Sequence, residues 1–315
     1  MNICEPTSNN LISLNNLINF FSAPQKYFLE NTLGIYLGDQ GETLDDCEPF
    51  SLDNLESYNL KDDMLHRMIK TTDKKESIVD IYRAKGLLPH GTAGAVLYKE
   101  NESVVRSFYS KITKYIEPGR QAESVEVDIM GNGWRLKGIV SDLWGTGGRI
   151  VRFRIASVKP KDILKSWIIH LASVCSPGDQ VKKVETFVIG TKSVCQFSTP
   201  DDPVSILDSL IKLYHQGIKT PLHFFPASSM IYAKTLFNKK DVETGAIPTD
   251  IGSTDKAIKN AMAEFKGSNM DIVSGEGQSE DITLCFRHLE TPLDDKFISL
   301  STAVWIPVLE HIAIT

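Results

Sequence analysis

Long apolar runs are missing from this 315-residue chain, and no stretch reaches the roughly 18 residues needed to cross a bilayer. Secretion is not expected either, because the start, MNICEPTSNN, has neither a basic region nor an apolar one. These absences give the expectation of a cytoplasmic protein with no membrane partner. Cysteine is sparse: Cys4, Cys47, Cys175, Cys195 and Cys285 form an odd set with no C-x-x-C pair. That pattern reads as free thiols in a reducing compartment rather than a zinc or iron–sulfur site. The seven histidines show no ligand spacing, so His66, His90, His170 and His215 read as surface or capping residues. No G-x-x-x-x-G-K-[ST] occurs, which disfavours ATP hydrolysis. No metal and no cofactor are expected.

What is present suits a folded protein. Hydrophobic residues make up 42% and charged residues 23%, and the length allows a large core. The net charge of −6 conceals two opposite regions. From Asp39 to Asp63 nine acidic residues, Asp45 and Asp46 among them, face only Lys61. From Gly131 to Lys165 eight basic residues face Asp142 and Asp162, a net of +6. A patch of that sign can track phosphates; it can equally be a solvated strand and helix face. The acidic region reads as solvated loop and turn, or as a surface that meets a basic subunit.

Periodicity gives the elements. Leu14, Leu17, Ile18 and Phe21 make one helical stripe after Ser13, and Pro24 and Gly34 suit the start and end of a second helix. Two helices are expected around a polar break at Thr71–Lys75, and a long one from His90 to before Pro118. Three strands follow, SVEVDIM, WRLKGIVSDLW and RIVRFRIAS, separated by the turns GNG and GTGG. Pro160 opens a helix carrying Ile163, Leu164, Trp167, Ile168 and Leu171 on one face. VETFVIG and SVCQFS are further strands. The remainder reads as mostly helical, with GSNMDIVSGEGQSED as a flexible interruption before a last strand and helix.

The order from His90 to Gly190 is α-β-β-β-α-β, that of the restriction-endonuclease-like, or PD-(D/E)xK, nuclease core. Such nucleases hold Mg²⁺ with a carboxylate near the end of the second strand and another on the third, followed two residues on by lysine. On that template the first acid falls on Ser141, and the D-x-K positions fall on Arg152 and Arg154. A guanidinium about 4 Å from a dication costs on the order of several kcal/mol. The catalytic positions Ser141, Arg152 and Arg154 therefore read as degenerate, and the face presents arginine suited to phosphate without metal. Arg152 and Arg154 either contact DNA or pair with acids of the protein itself. The competing reading is an active Mg²⁺ nuclease using Glu126, Asp128 or Asp142.

Four segments, LINFFSAPQKYFLENTLGIYLG, LLPHGTAGAVLYKE, GIVSDLWGTGGRIVRFRIASVKPKDILKSWIIHLA and TPLHFFPASSMIYAK, occur in an order and spacing that resembles the RecC C-terminal domain family. The resemblance covers about Leu11 to Ile312. It implies an α+β, restriction-endonuclease-like (PD-(D/E)xK) core without its catalytic residues, with additional helices before and after. It also implies a part of a longer subunit, or a separately expressed domain. The implied role is noncatalytic: handling a duplex end or fork and its separated single strands in double-strand-break repair, beside RecB and RecD subunits, with RecD docked on this domain. The expected layout is a flexible terminus over 1–12, a helical and acidic-loop entry over 13–90, the nuclease-like core over 91–200 and a mainly helical extension over 201–315. Expected DNA contacts are Arg135, Lys137, Arg149, Arg152, Arg154, Lys159 and Lys161. Phe224, Phe225 and Tyr232 read as core around a helix start or as base-stacking rings. Trp144 reads as a turn residue or as a hairpin tip that parts bases.

Overall fold

A computed structural model describes residues 10–38, 53–70, 78–89, 91–117, 119–145, 148–176, 184–241, 244–267 and 274–315. Cys4, Cys47, His90, residues 39–52 of the acidic stretch, the polar break 71–77, part of the GTGG turn and residues 268–273 of the flexible interruption lie outside them.

The helices are α1 (Leu14–Ser22), α2 (Pro24–Thr32), α3 (Asn54–Lys70), α4 (Ile78–Ala84), α5 (Gly91–Ile112), α6 (Pro160–Cys175), α7 (Pro203–Gly217), α8 (Pro226–Phe237), α9 (Ile251–Lys266), α10 (Glu280–Phe286) and α11 (Asp295–His311). The strands are β1 (Leu11–Ser13), β2 (Glu123–Met130), β3 (Arg135–Trp144), β4 (Arg149–Phe153), β5 (Glu185–Ile189), β6 (Val194–Phe197) and β7 (Ile312–Ile314). Together the strands form one mixed seven-stranded sheet. The expected order α-β-β-β-α-β appears as α5-β2-β3-β4-α6-β5.

β2, β3 and β4 form the antiparallel meander. Leu136 pairs with Ile129 of β2 and Ile12 of β1, and Leu143 pairs with Glu123 of β2 and Ile150 of β4. β1 and β4 therefore both lie across β3 from β2. α6 then carries the chain over the sheet so that β5 runs parallel to β4, as a crossover must. β6 and β7 complete the sheet antiparallel.

The sheet separates two cores, and alternation along its strands feeds both. Ile150 and Val188 point to the core built with α1, α6, α7 and α11; Val151, Phe187 and Ile189 point to the core built with α3, α4 and α5. α6 is buried on nearly every side, which its five-residue stripe understated. Gly138 lets α1 lie close on β3, since a Cβ there would stand 2.5 Å from Leu14 Cβ. A third cluster ties α8 to α9, α10 and α11 through Phe225, Tyr232 and Phe297.

Several expectations change. Asn54 to Asp63 is helix rather than loop, and Glu280–Phe286 is helix where a strand was expected. Leu11 and Ile12 belong to a strand, in a stretch read as a flexible terminus. Trp144 is buried against α5 and its neighbours rather than exposed at a tip. His170 is fully buried rather than a surface or capping residue. Phe224, Phe225 and Tyr232 are core. Cys175, Cys195 and Cys285 are free.

The turn between β5 and β6 is pinned from α5. Lys111 Nζ donates to the carbonyl oxygens of Gly190 at 2.8 Å, Thr191 at 3.4 Å and Ser193 at 3.5 Å. Lys111→Met leaves those carbonyls without their charged donor, and thermal or urea unfolding is expected to show a loss of about 1–3 kcal/mol.

Candidate functional site

The end of β3, the middle of β4 and the first turns of α6 meet at a cleft of ≈ 270 Å³. Asp142, Val151, Arg152, Phe153, Arg154, Asp162, Lys165, Ser166, Val188 and His66 of α3 line it. Arg152 and Arg154 reach it because they share the face of Ile150, toward α6 (period-two alternation). Asp142 follows Gly138 and Val140 on the side of β3 that faces α1 and α6, and its own backbone is irregular. Its φ of 66° is the left-handed conformation, which aspartate tolerates better than most residues, and there the alternation of β3 breaks, so Val140 and Leu143, three residues apart, feed the same core. Ser141 is exposed and does not line the cleft. Of the two neighbours it is Asp142, not the expected Ser141, whose side chain lies at the cleft.

The arginines are paired within the protein. Arg152 Nη1 donates to Asp142 Oδ2 at 2.8 Å, and Arg154 Nη1 to Asp162 Oδ2 at 3.0 Å. Asp162 also accepts from the Lys159 backbone N–H at 3.0 Å, which fixes it at the start of α6. The Arg154 guanidinium lies 5.6 Å from the centre of the Tyr58 ring on α3. Both arginine side chains keep some exposure, 21% and 24%, so a ligand can still reach them. Lys165 stands one turn beyond Asp162; burial first, and then the charge of Arg152, hold its ammonium below its usual range. His66 Nδ1 lies 2.9 Å from the Asp62 carbonyl oxygen, and its ring sits 5.8 Å from that of Phe153.

The other expected DNA contacts are spread over the surface. Arg135 holds Asp128 with two bonds of 2.7 Å, and Lys137 shares that carboxylate at 3.1 Å. The Arg135 hydrogen bonds in particular hold the Asp128 carboxyl down at about 2. Arg149 pairs with Glu185 at 3.2 Å. Lys159 and Lys161 are exposed at the start of α6. Asp128 and Glu185 lie outside the +6 segment, so the patch is less positive in space than in sequence. Only Arg152 and Arg154 of the seven expected contacts line the cleft. Asp162 and Lys165 enter the sequence reading only as charges of the basic segment, His66 only as a surface or capping residue and Ser166 not at all, although Arg152-x-Arg154 followed by Asp162-x-x-Lys165 is visible in the sequence.

Magnesium requires several oxygen ligands. The cleft offers two carboxylates, each already held by a guanidinium, beside a lysine, and that donor set does not fit the ion. Asp128 stands apart with Arg135 and Lys137, and Glu126 is exposed outside the cleft. Among the described residues, no three histidine, cysteine, aspartate or glutamate side chains gather as a metal cluster.

The chain is similar to bacterial proteins named RecBCD enzyme subunit RecC. That of Escherichia coli K12 is 22% identical over 94% of this chain and 25% of its own length. That of Buchnera aphidicola from Acyrthosiphon pisum is 25% identical over 90% of this chain and 25% of its own length. That of Mycobacterium tuberculosis H37Rv is 28% identical over 73% of this chain and 21% of its own length. The chain thus spans about a quarter of the length of the curated relatives it matches. The model of the RecC C-terminal domain matches residues 9–237, more than half of the sequence, and the chain belongs to that family.

Proposed function

We propose that this chain is a noncatalytic DNA-handling and scaffolding domain of a RecBCD-type helicase–nuclease, exodeoxyribonuclease V, acting in double-strand-break repair by homologous recombination. In this reading it guides the strands separated at a duplex end or fork, lies beside a RecB subunit and docks a RecD subunit. Its core is a PD-(D/E)xK nuclease core that has exchanged catalysis for binding. The observation that carries this reading is the pair of guanidiniums at the cleft: Arg152 and Arg154, which the sequence template aligns with D-x-K, are each bonded to a carboxylate. Guanidinium binds phosphate oxygens with directed, charge-assisted hydrogen bonds and needs no ion between.

Asp142 favours a second reading, an active Mg²⁺ nuclease, because it keeps an acid at the cleft. Its bond to Arg152 opposes that reading, since the carboxylate is already neutralised.

Binding to forked DNA tests the proposal. Arg152→Glu with Arg154→Glu is expected to weaken affinity more than tenfold, by roughly 1.5–3 kcal/mol for each lost charged contact. The slope of log affinity against log salt is expected to become shallower by about 0.7–0.9 for each phosphate contact removed. Unchanged affinity and slope would leave a purely protein-binding module as the better description.

A further inference from the structure

Among the described residues, Lys165 is the cleft cation of Arg152, Arg154 and Lys165 that has no hydrogen-bond or ion-pair partner, although Arg152 and Arg154 each have one. Two more donors at the cleft are idle. Ser166 is 1% exposed and its hydroxyl has no partner, and Arg154 Nε is buried without one while Nη1 binds Asp162. Buried donors of this kind are ordinarily satisfied, so a cluster of them on one cleft points to an absent acceptor.

The charge of the cleft indicates which acceptor. Arg152, Arg154 and Lys165 face Asp142 and Asp162, which leaves one positive charge when His66 is neutral. A singly charged anion brings the cleft to neutrality. A terminal phosphomonoester, at about −1.5 to −2 near neutral pH, overshoots it. An internal phosphodiester carries a single charge on two free oxygens, enough to accept from an ammonium, a hydroxyl and a guanidinium N–H together. Exposed Lys159 and Lys161, at the same end of α6, supply charge for phosphates on either side, which an isolated carboxylate would not use.

We infer that this cleft is a metal-free receptor for one internal phosphodiester of a nucleic-acid strand, held by Lys165, Ser166 and Arg154. The inference rests on the DNA-handling reading and narrows it to one backbone position.

The test is a methylphosphonate scan of forked DNA, which removes one backbone charge at a time, read with the wild-type chain and with Lys165→Met. Lys165→Met is expected to fold without loss of thermal stability, because methionine fills the space of a partly buried ammonium. Its affinity for unmodified DNA is expected to fall by about tenfold or more. One backbone position is expected to cost the wild type the same factor and the variant nothing further. Should Lys165→Met fold poorly, Ser166→Ala, which removes one hydroxyl, is read by the same comparison. Dimethyl phosphate is expected to compete in a Lys165-dependent way, and methyl phosphate and polyglutamate are not.

If the wild type binds the fork and Lys165→Met binds equally well, the receptor is disproved and DNA handling stands. If the backbone positions respond alike in both proteins, the same conclusion holds. If polyglutamate competes through Lys165, the cleft is a carboxylate site instead. If the wild type binds no forked DNA, both readings fall together.

Discussion

Trp167→Ala is expected to destabilise the protein by about 3–5 kcal/mol, the range for deleting a large aromatic side chain from a core. Trp167 is 1% exposed and sits where α6 meets the sheet and the last helix. Its ring centre lies 5.7 Å from that of His170, 5.5 Å from Phe197 on β6 and 5.9 Å from His311 at the end of α11. One truncation therefore opens a cavity touched by a helix, a strand and the C-terminal region together. Among the described residues the indole N–H has no hydrogen-bond partner, so Trp167→Phe removes an unsatisfied donor along with part of the ring. Trp167→Phe is expected to cost well under half as much as Trp167→Ala. Urea unfolding of the two variants checks both values, and similar losses for the two would contradict this packing.

The second large effect is a loss of stability in mild acid. His170 is fully buried, its Nδ1 3.0 Å from the Thr186 hydroxyl, and burial pushes its imidazole down to about 4. The folded protein thus keeps it neutral through a range in which the unfolded chain, with histidine near about 6.5, takes up a proton. A depressed folded value leaves stability intact above about pH 6.5 and erodes it as pH falls toward 4. The full loss is on the order of 3 kcal/mol, at about 1.36 kcal/mol per pH unit between the unfolded and folded values. His215, also held low by burial, adds to the slope in the same direction. His170→Phe keeps a ring against Trp167 and Phe197 and removes the titration. It is expected to unfold more easily at pH 8, where the Thr186 bond is lost, and to show a flatter decline between pH 6.5 and 4.5. An unchanged decline in the variant would place the acid sensitivity elsewhere.

Local patterns made much of this fold legible. The stripe from Leu14 to Phe21, the glycine turns between the meander strands and the proline starts of α2 and α6 are signals within a few residues of the elements they define. The illegible parts depend on distant partners. β1 and β7 are three residues each and exist because Leu136 and Gln196 offer them edges, more than a hundred residues away. Trp144 follows an alternating strand and precedes glycine, and only the packing of α5 tells a buried ring from an exposed tip.

At the site, Arg152 and Arg154 were visible as a strand pair, but their counter-charges were not. Asp162 is supplied by the next helix, and Glu185 meets Arg149 through the parallel pairing of β4 and β5. Ser141 came from the spacing of a template, which does not say which side of the strand a residue faces: Gly138 and Val140 face α1 and α6, and Asp142, two residues on, lines the cleft while Ser141 is exposed. Lys165 lies on the helical periodicity of α6, where a long side chain beside apolar neighbours gives no sign of which way its ammonium turns.

Incubation of the chain with end-labelled forked DNA, in Mg²⁺ and separately in EDTA, tests most directly whether the cleft grips phosphate by guanidinium instead of cutting it by metal. Retardation and cleavage products are read on parallel native and denaturing gels. Comparable binding in both buffers is expected, with the DNA left intact and with Asp142→Ala making no difference to products. Degradation that requires Mg²⁺ and disappears in Asp142→Ala would contradict this account.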